Sequence, residues 1–159
     1  KVIAAASSDE KLALCKKLGA DELINYSEVN LKDTIKELTG GKGVDVVYDP
    51  VGGDYAEPAL RGMAWNGRYL VIGFASGPIP KIALNLALLK GCSIVGVFWG
   101  RFTGEEPEVN LKNIEELWEL FASGKISPVV TDSFPVERYE EAFNCMIERR
   151  ARGKVIITM

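Results

Sequence analysis

Short apolar runs alternate along the chain with segments in which apolar residues recur every three or four positions. The short runs are typical of buried parallel strands, and the segments between them are typical of amphipathic helices. This alternation predicts βαβ units and an α/β fold, with a mostly parallel sheet of about five or six strands and helices on both faces. The predicted strands are residues 1–6, 23–26, 44–48, 68–73, 93–98 and 154–158.

Capping residues mark the expected starts of several helices. Ser7 and Glu10 form an S-x-x-E pattern, which predicts a capping box. Asn30 and Asn110 are predicted N-caps, and the helix after Asn110 places Leu111, Ile114, Leu117, Trp118 and Phe121 on its inner side. Further helices are predicted over residues 55–65 and 139–150, with a turn at residues 66–67 after the first of them.

The composition indicates an ordinary globular protein and narrows its partners. A chain of 159 residues, 47% hydrophobic and 26% charged, is about one domain in size and can bury a core. The net charge of −3 gives no basic surface for nucleic acid or anionic lipid, and no apolar run approaches the roughly 20 residues of a membrane helix. We therefore expect no nucleic-acid or membrane partner. The expected location is the cytoplasm, or the mitochondrion if an upstream targeting segment was removed.

The absence of histidine excludes several kinds of catalytic site. Without histidine, Ser–His and Cys–His nucleophilic sites and most zinc sites are excluded. Cys15, Cys92 and Cys145 are isolated and lie in apolar contexts, so we interpret them as buried, reduced thiols rather than metal ligands. We predict no metal site, and no catalytic residue can be assigned from the sequence.

The loop after the first predicted strand has the chemistry of a phosphate site. Ligands of parallel sheets bind beyond the carboxyl ends of the strands. Here Ser7 and Ser8 offer hydroxyls, Lys11 offers positive charge, and a helix N-terminus points to the same place. Tyr26 ends the next strand and could reach the same ligand. The alternatives are that Ser7 is an ordinary N-cap, Lys11 a solvated lysine and Tyr26 an aromatic residue at the sheet edge.

The loops after the third strand and later ones offer backbone amides and aromatic side chains. The turn at residues 49–53 contains Val51 and two glycines, and would let the backbone approach a ligand. Gly73, Phe74 and Ala75 in one loop, and Phe98 and Trp99 in another, would line a flat pocket for a planar ring. The alternatives are core packing of the three aromatic residues and a phospho-accepting role for Asp49, as in receiver domains. The latter is disfavoured because Ser7 and Ser8 occupy the place of the acidic pair that receiver domains have directly after their first strand, and Phe74 and Ala75 occupy the place of their lysine.

The order of motifs resembles one enzyme family, although neither a G-x-G-x-x-G nor a Walker motif is present. The matching segments are KVIAAASSDEKLALCKKLGADELINY, TGGKGVDVVYDPVGGDY, NGRYLVIGFASGPIP, SIVGVFWG and RARGKVIIT. Together they resemble the zinc-free, NADPH-dependent quinone oxidoreductase branch of the medium-chain dehydrogenase/reductase superfamily. The resemblance covers essentially the whole chain.

The resemblance implies a fold and a set of cofactor contacts. It implies a Rossmann-type doubly wound sheet that lacks the usual first strand and glycine-rich turn, with that strand expected between the strands at residues 1–6 and 44–48. Residues 1–126 would be a partial nucleotide-binding domain, and residues 127–159 would return towards an absent catalytic domain. By the same resemblance, Lys11 and Tyr26, with Ser7 and Ser8, hold the 2′-phosphate of NADPH. Gly73, Phe74 and Ala75 border the nicotinamide, and Phe98 and Trp99 contact its carboxamide side.

The function implied by the resemblance is hydride transfer from NADPH to a quinone or another conjugated carbonyl. The implied partners are a small quinone or enone substrate and either a second copy of the chain or a missing N-terminal part. This chain alone is expected to be inactive. The alternative is a non-catalytic α/β structural or interaction module derived from such an enzyme, and nucleotide binding would discriminate between the two.

Overall fold

A computed structural model describes residues 1–159, which form two compact units, Lys1–Gly100 and Arg101–Met159. The strands and α-helices alternate almost throughout, with 3-10 turns at Gly53–Tyr55 and Val136–Arg138. In chain order the elements are β1 (Ile3–Ala6), α1 (Asp9–Lys17), β2 (Glu22–Asn25), α2 (Leu31–Leu38), β3 (Val44–Asp49), α3 (Ala56–Arg61), β4 (Met63–Val71), α4 (Asn85–Lys90), β5 (Ser93–Gly96), α5 (Trp99–Glu105), α6 (Pro107–Ala122), β6 (Val130–Pro135), α7 (Tyr139–Ile147) and β7 (Lys154–Thr158).

All strand pairs are parallel, which confirms the predicted α/β class. β1 pairs with β2, and β3, β4 and β5 form a second sheet in that order. β6 pairs with β7 in the second unit. The prediction of one sheet of five or six strands is wrong, because no hydrogen bonds join β1 to β3. The break falls at the position where the family resemblance implies a further strand.

A groove lies between β1 and β3. Its volume is about 630 Å³. At one end the Lys1 ammonium donates to the carbonyl of Leu38, 3.3 Å away, shortly before β3 begins. At the other end the rings of Tyr26 and Tyr55 are in contact, with centroids 4.2 Å apart and the ring planes tilted by 44°. The two strands therefore run in the same direction along the groove, each with one edge unpaired. The groove lining is mostly apolar and includes Val2, Ile3, Ala4, Ala5, Ile24, Leu31, Ile35, Val44, Val46, Val47 and Ala59.

The core of the first unit packs helices α2 and α3 against the strands. Met63, Leu60 and Ile24 are almost fully buried, and Ile35 of α2 and Tyr69 of β4 join the same cluster. Because this cluster draws on β2, β4 and the two helices, it holds both sheets of the unit together by side-chain packing rather than by strand pairing. No helix of the structure is both long and apolar enough to cross a bilayer.

Two of the three predicted N-caps are wrong. α1 begins at Asp9 with Ser8 as N-cap, and the Ser8 side chain makes no cap hydrogen bond, so Ser7 and Glu10 form no capping box. Asn30 is confirmed, because its side-chain oxygen accepts from the Asp33 amide at 3.1 Å. α6 begins before Asn110, at Pro107, whose fixed φ suits the first turn of a helix.

The helix and turn predicted over residues 55–67 are also corrected. α3 ends at Arg61, and β4 begins at Met63, which is fully buried and pairs with Val44. Asn66 lies inside β4 at a register shift, with φ of 60° and its amide donating to the Gly91 carbonyl at 2.8 Å. The residues that predict a turn therefore form a bulge within a strand.

The second unit contains α6, α7 and the β6–β7 pair. Ala142 and Cys145 of α7 are buried, and α7 contacts both strands. α7 ends at Ile147, before the predicted residue 150, and β7 has the predicted bounds. The face of α6 predicted to point inward is exposed, with Trp118 64% and Leu111 59% accessible, so that expectation is wrong. The division of the sequence after residue 126 stays a prediction.

Replacing Asn30 with Ala should lower the free energy of unfolding by about 1 kcal/mol, the usual loss for an N-cap hydrogen bond. The matched control is Ser8→Ala, at an N-cap that makes no side-chain hydrogen bond. Urea unfolding followed by circular dichroism measures both. A loss for Ser8→Ala as large as that for Asn30→Ala would contradict the assignment of the two caps.

The unpaired edges of β1 and β3 should make this chain associate, because open strand edges and apolar surface favour pairing with further strands. We expect light scattering coupled to size exclusion to give a mass above 17.4 kDa that rises with concentration. A concentration-independent monomer would show that the groove is stable without strand pairing.

Candidate functional site

The loops after β1 and β2 bring together Ser7, Ser8, Lys11 and Tyr26, called here the phosphate cluster. The Tyr26 amide donates to the Ala6 carbonyl at 3.1 Å, which continues the β1–β2 ladder to the carboxyl ends of both strands. The Ser27 hydroxyl donates to the Ser7 carbonyl at 3.1 Å and ties the two loops. The four predicted residues therefore lie at one edge of the two-stranded sheet.

The phosphate cluster combines a lysine with a helix N-terminus. Lys11 is the third residue of α1 and forms no ion pair, and the Ser8 hydroxyl is not used as a cap. Asp9 and Glu10 occupy the same turn, which partly offsets the positive potential. Asp9 Oδ1 accepts from Asn25 Nδ2 at 2.9 Å, so this carboxylate is directed to the end of β2. This acidic partner was not singled out from the sequence.

Asp49 organises the turn after β3. Its Oδ1 accepts from the amides of Val51 and Gly52, each at 2.9 Å, and its Oδ2 accepts from the hydroxyl of Tyr69 on β4. Burial and then the hydrogen bond to Asp49 raise the pKa of Tyr69 well above its usual value, so this phenol remains a neutral donor. Three donors thus hold the carboxylate of Asp49, and this carboxylate fixes the turn after β3. The phospho-acceptor alternative does not predict these hydrogen bonds.

The turn after β3 is hydrogen-bonded to the loop after β4. The Ala75 amide donates to the Pro50 carbonyl at 3.0 Å, and the Ser76 amide and hydroxyl both donate to the Val51 carbonyl, at 3.0 and 2.8 Å. Gly52 has φ of 66°, and a Cβ there would lie 2.8 Å from the Phe74 ring. Val51, Gly73, Phe74 and Ala75, called here the ring cluster, are therefore held in one surface.

Phe98 and Trp99 follow β5, the next strand of the same sheet. Gly96 pairs with Val71, and the Val97 amide donates to the Val71 carbonyl at 3.0 Å, so this segment also lies at the carboxyl edge. Phe98 is 74% exposed and Trp99 54% exposed. The alternative that these two side chains pack in the core is therefore wrong, whereas Phe74, 38% exposed, rests partly on the turn after β3.

Tyr55 connects the phosphate cluster to the turn that supports the ring cluster, and the sequence analysis did not single it out. Its ring lies 4.2 Å from that of Tyr26, at an interplanar angle of 44°. Tyr55 ends the 3-10 turn that follows Gly52, so it joins the turn after β3 to the phosphate cluster. Tyr69 was also missed. Both contacts join residues far apart in sequence, and neither tyrosine lies in a motif that predicts such a contact.

The chain offers no cluster of metal ligands. No group of three or more His, Cys, Asp and Glu side chains could hold a metal ion in residues 1–159. All three cysteines are free; Cys145 is buried, while Cys15 and Cys92 are only partly buried. The prediction of buried thiols is thus correct for one of the three.

Comparison with known sequences identifies the family. The sequence model of the family described as zinc-binding dehydrogenase matches residues 1–119. The chain is 41% identical to quinone oxidoreductase-like protein 2 of Rattus norvegicus, over 100% of this chain and 45% of the relative. It is 32% identical to the quinone oxidoreductase of Pseudomonas aeruginosa, over 99% of this chain and 48% of the relative.

Solved structures give the same result for the fold. The quinone oxidoreductase of Escherichia coli, crystallised with NADPH, matches with a TM-score of 0.86 and 30% identity, over 99% of this chain and 49% of that one. A mycobacterial protein whose structure is complexed with NADPH matches with a TM-score of 0.89 and 29% identity, over 100% of this chain and 50% of that one. These matches confirm the predicted Rossmann-type fold class.

The chain spans about half the length of the curated relatives it matches. Zinc, which the family description names, does not fit the residues present here, because the chain has no histidine and no three clustered ligands. No step is therefore assigned to zinc on this chain. The order of parallel strands, the strand-end loops and the sequence matches agree, and the chain belongs to the zinc-binding dehydrogenase family of the medium-chain dehydrogenase/reductase superfamily.

Proposed function

We propose that this chain is the cofactor-binding portion of an NADPH-dependent quinone oxidoreductase or enoyl-type reductase. When bound, NADPH supplies the hydride, which a quinone or another conjugated carbonyl accepts. The observation that supports this most directly is the phosphate cluster, in which Ser7 and Ser8 directly precede α1, Lys11 lies in its first turn, and Tyr26 follows the paired strand β2. The proposed location is the cytoplasm, or the mitochondrion if an upstream targeting segment was removed.

The phosphate cluster would recognise the 2′-phosphate of the cofactor. A lysine ammonium and the hydroxyls of Ser7 or Ser8 supply charge-assisted hydrogen bonds to a dianion, and the amides of the first turn of α1 add donors. Lys11 forms no ion pair, so binding a phosphate would not require breaking one. Asp9 is held by Asn25 rather than by Lys11, which leaves the lysine as the charged group for the ligand.

The ring cluster would orient the nicotinamide. Gly73, Phe74 and Ala75 lie beside Val51 at the carboxyl ends of β3 and β4, and Phe98 and Trp99 follow the neighbouring strand β5. Small residues there leave room for a planar ring, and the exposed aromatic side chains offer an apolar boundary. In this proposal the chain's residues bind and orient the cofactor without zinc, and the group that supplies the proton is not assigned.

A non-catalytic α/β structural or interaction module is the alternative. Both proposals predict the same fold, so nucleotide binding decides between them. An interaction module has no reason to prefer a 2′-phosphorylated nucleotide, whereas the proposed cofactor site does.

Lys11→Glu should weaken NADPH far more than NADH, by about tenfold or more, because the variant replaces an attraction of about 1.5–3 kcal/mol with repulsion of the 2′-phosphate. Fluorescence titration with both nucleotides measures this in any version of the protein that contains this chain and binds cofactor. The matched control is Lys17→Glu, which makes the same charge change at the far end of α1.

Equal losses for NADPH and NADH, or an equal effect of Lys17→Glu, would contradict the assignment of the phosphate cluster. NADH is the internal reference here, since it differs from NADPH at the 2′ position alone.

The purified 159-residue chain should not catalyse quinone-dependent oxidation of NADPH. No glycine-rich pyrophosphate turn occurs in these residues, and the ring cluster forms one wall of a pocket, whereas catalysis needs the substrate held in near-attack geometry. Absorbance at 340 nm with a soluble quinone measures turnover. Steady turnover by this chain, abolished by Lys11→Glu, would overturn the expectation and show that a complete site assembles from copies of the chain.

A further inference from the structure

Tyr69 and Asp49 form a partly buried pair that neither the family assignment nor the proposed cofactor contacts use. Tyr69 lies in the middle of β4, opposite Val47 of β3, and is only 5% exposed. Its hydroxyl donates to Asp49 Oδ2, while Asp49 Oδ1 receives the amides of Val51 and Gly52. One carboxylate therefore joins a core side chain of β4 to the turn after β3.

Strand pairing does not require this carboxylate. The backbone register of β3 and β4 runs from Val46–Arg68 to Asp49–Val71. Beyond it, the amides of Ile72 and Gly73 donate to the backbone carbonyl of Asp49, at 3.0 and 3.3 Å. These bonds use main-chain atoms only. Removing the hydroxyl of Tyr69 should thus leave the sheet intact and loosen only the turn at Val51 and Gly52, which the Asp49 carboxylate holds.

The carboxylate holds the turn that supports the ring cluster. With Val51 and Gly52 fixed by Asp49, the Val51 carbonyl faces Ser76, which donates to it twice, and the Pro50 carbonyl faces Ala75. Gly52 lies directly beneath the Phe74 ring, where even a Cβ would be too close. The position of Phe74 and Ala75 therefore depends on the turn, and the turn depends on Asp49.

We propose that Tyr69 and Asp49 are positioning residues for the nicotinamide end of the cofactor site. Tyr69 fixes the Asp49 carboxylate, Asp49 fixes the turn at residues 50–53, and the turn fixes the ring cluster. Neither residue is assigned a contact with cofactor or substrate. This inference rests on the proposed function, because it assigns the pair a part in cofactor binding beyond its part in the fold.

The test uses Tyr69→Phe, which keeps the aromatic ring in the core and removes only the donor. The matched control is Tyr48→Phe, which removes a hydroxyl from an exposed tyrosine of the adjacent strand. Amide hydrogen exchange by NMR on this chain gives the first readout. We expect exchange of the Val51, Gly52 and Ser76 amides to accelerate about tenfold or more in Tyr69→Phe, as for loss of one charge-assisted hydrogen bond. The amides of Leu70 and Val95 should stay unchanged.

The second readout separates the two ends of the cofactor. Adenosine 2′,5′-bisphosphate reaches only the phosphate cluster, whereas NADPH also reaches the ring cluster. In the version of the protein used for the Lys11→Glu titration, Tyr69→Phe should weaken NADPH about tenfold and leave the affinity for the bisphosphate unchanged. Lys11→Glu should weaken both ligands, and Tyr48→Phe neither.

Three results would overturn the proposal. Unchanged amide exchange in Tyr69→Phe would mean that the pair does not hold the turn. Exchange accelerated evenly through β3, β4 and β5 would mean that the pair stabilises the whole sheet rather than the turn. Equal effects of Tyr69→Phe on NADPH and on the bisphosphate would remove its role at the nicotinamide end. If the wild-type protein binds neither ligand, the proposed function fails first, and that failure is visible without any variant.

Discussion

Parallel strand pairing is the constraint on which the rest of the structure depends. Because parallel neighbours run in one direction, the loops that follow β1 and β2 meet at one edge, and so do those that follow β3, β4 and β5. Each loop would be an ordinary surface turn in isolation. The pairing turns them into two composite surfaces, one with a lysine and hydroxyls, the other with small and aromatic residues.

Six of the seven strands and the class of the fold could be predicted because their determinants are local, whereas β6 was not predicted. A mostly apolar run such as residues 44–48 is identifiable as a strand wherever it lies, and β3 spans Val44–Asp49. The failures come from tertiary contacts that override local preference. Asn66 favours a turn, yet the bond from its amide to Gly91 and the burial of Met63 keep it in β4. Ser7 and Glu10 fit the capping-box pattern, but α1 begins one residue later and makes no such bond.

The residues of the candidate site also divide into those that local sequence predicts and those that only tertiary contacts reveal. Lys11, Tyr26 and Phe74 could be singled out because each follows a strand, and the strand direction predicts where such residues lie. Tyr55 and Tyr69 could not, because their importance rests on partners 29 and 20 residues away in the chain, Tyr26 and Asp49. A tyrosine inside a strand is typically an ordinary core residue. Tyr69 has a further role in our proposal because its hydroxyl and the amides of Val51 and Gly52 all donate to the carboxylate of Asp49.

The groove between β1 and β3 explains why the two clusters depend on different parts of the molecule. The phosphate cluster belongs to the β1–β2 pair and the ring cluster to the β3–β4–β5 sheet, and no strand ladder connects them. Their link at the carboxyl edge is the Tyr26–Tyr55 ring contact, and beneath it the core packing of Ile24 with Leu60 and Met63. No hydrogen-bonded ladder fixes the register of β1 against β3. A cofactor that contacts both clusters, as proposed, would therefore depend on the Asp49 turn within the β3–β4–β5 sheet and on the side-chain packing that links this sheet to the β1–β2 pair.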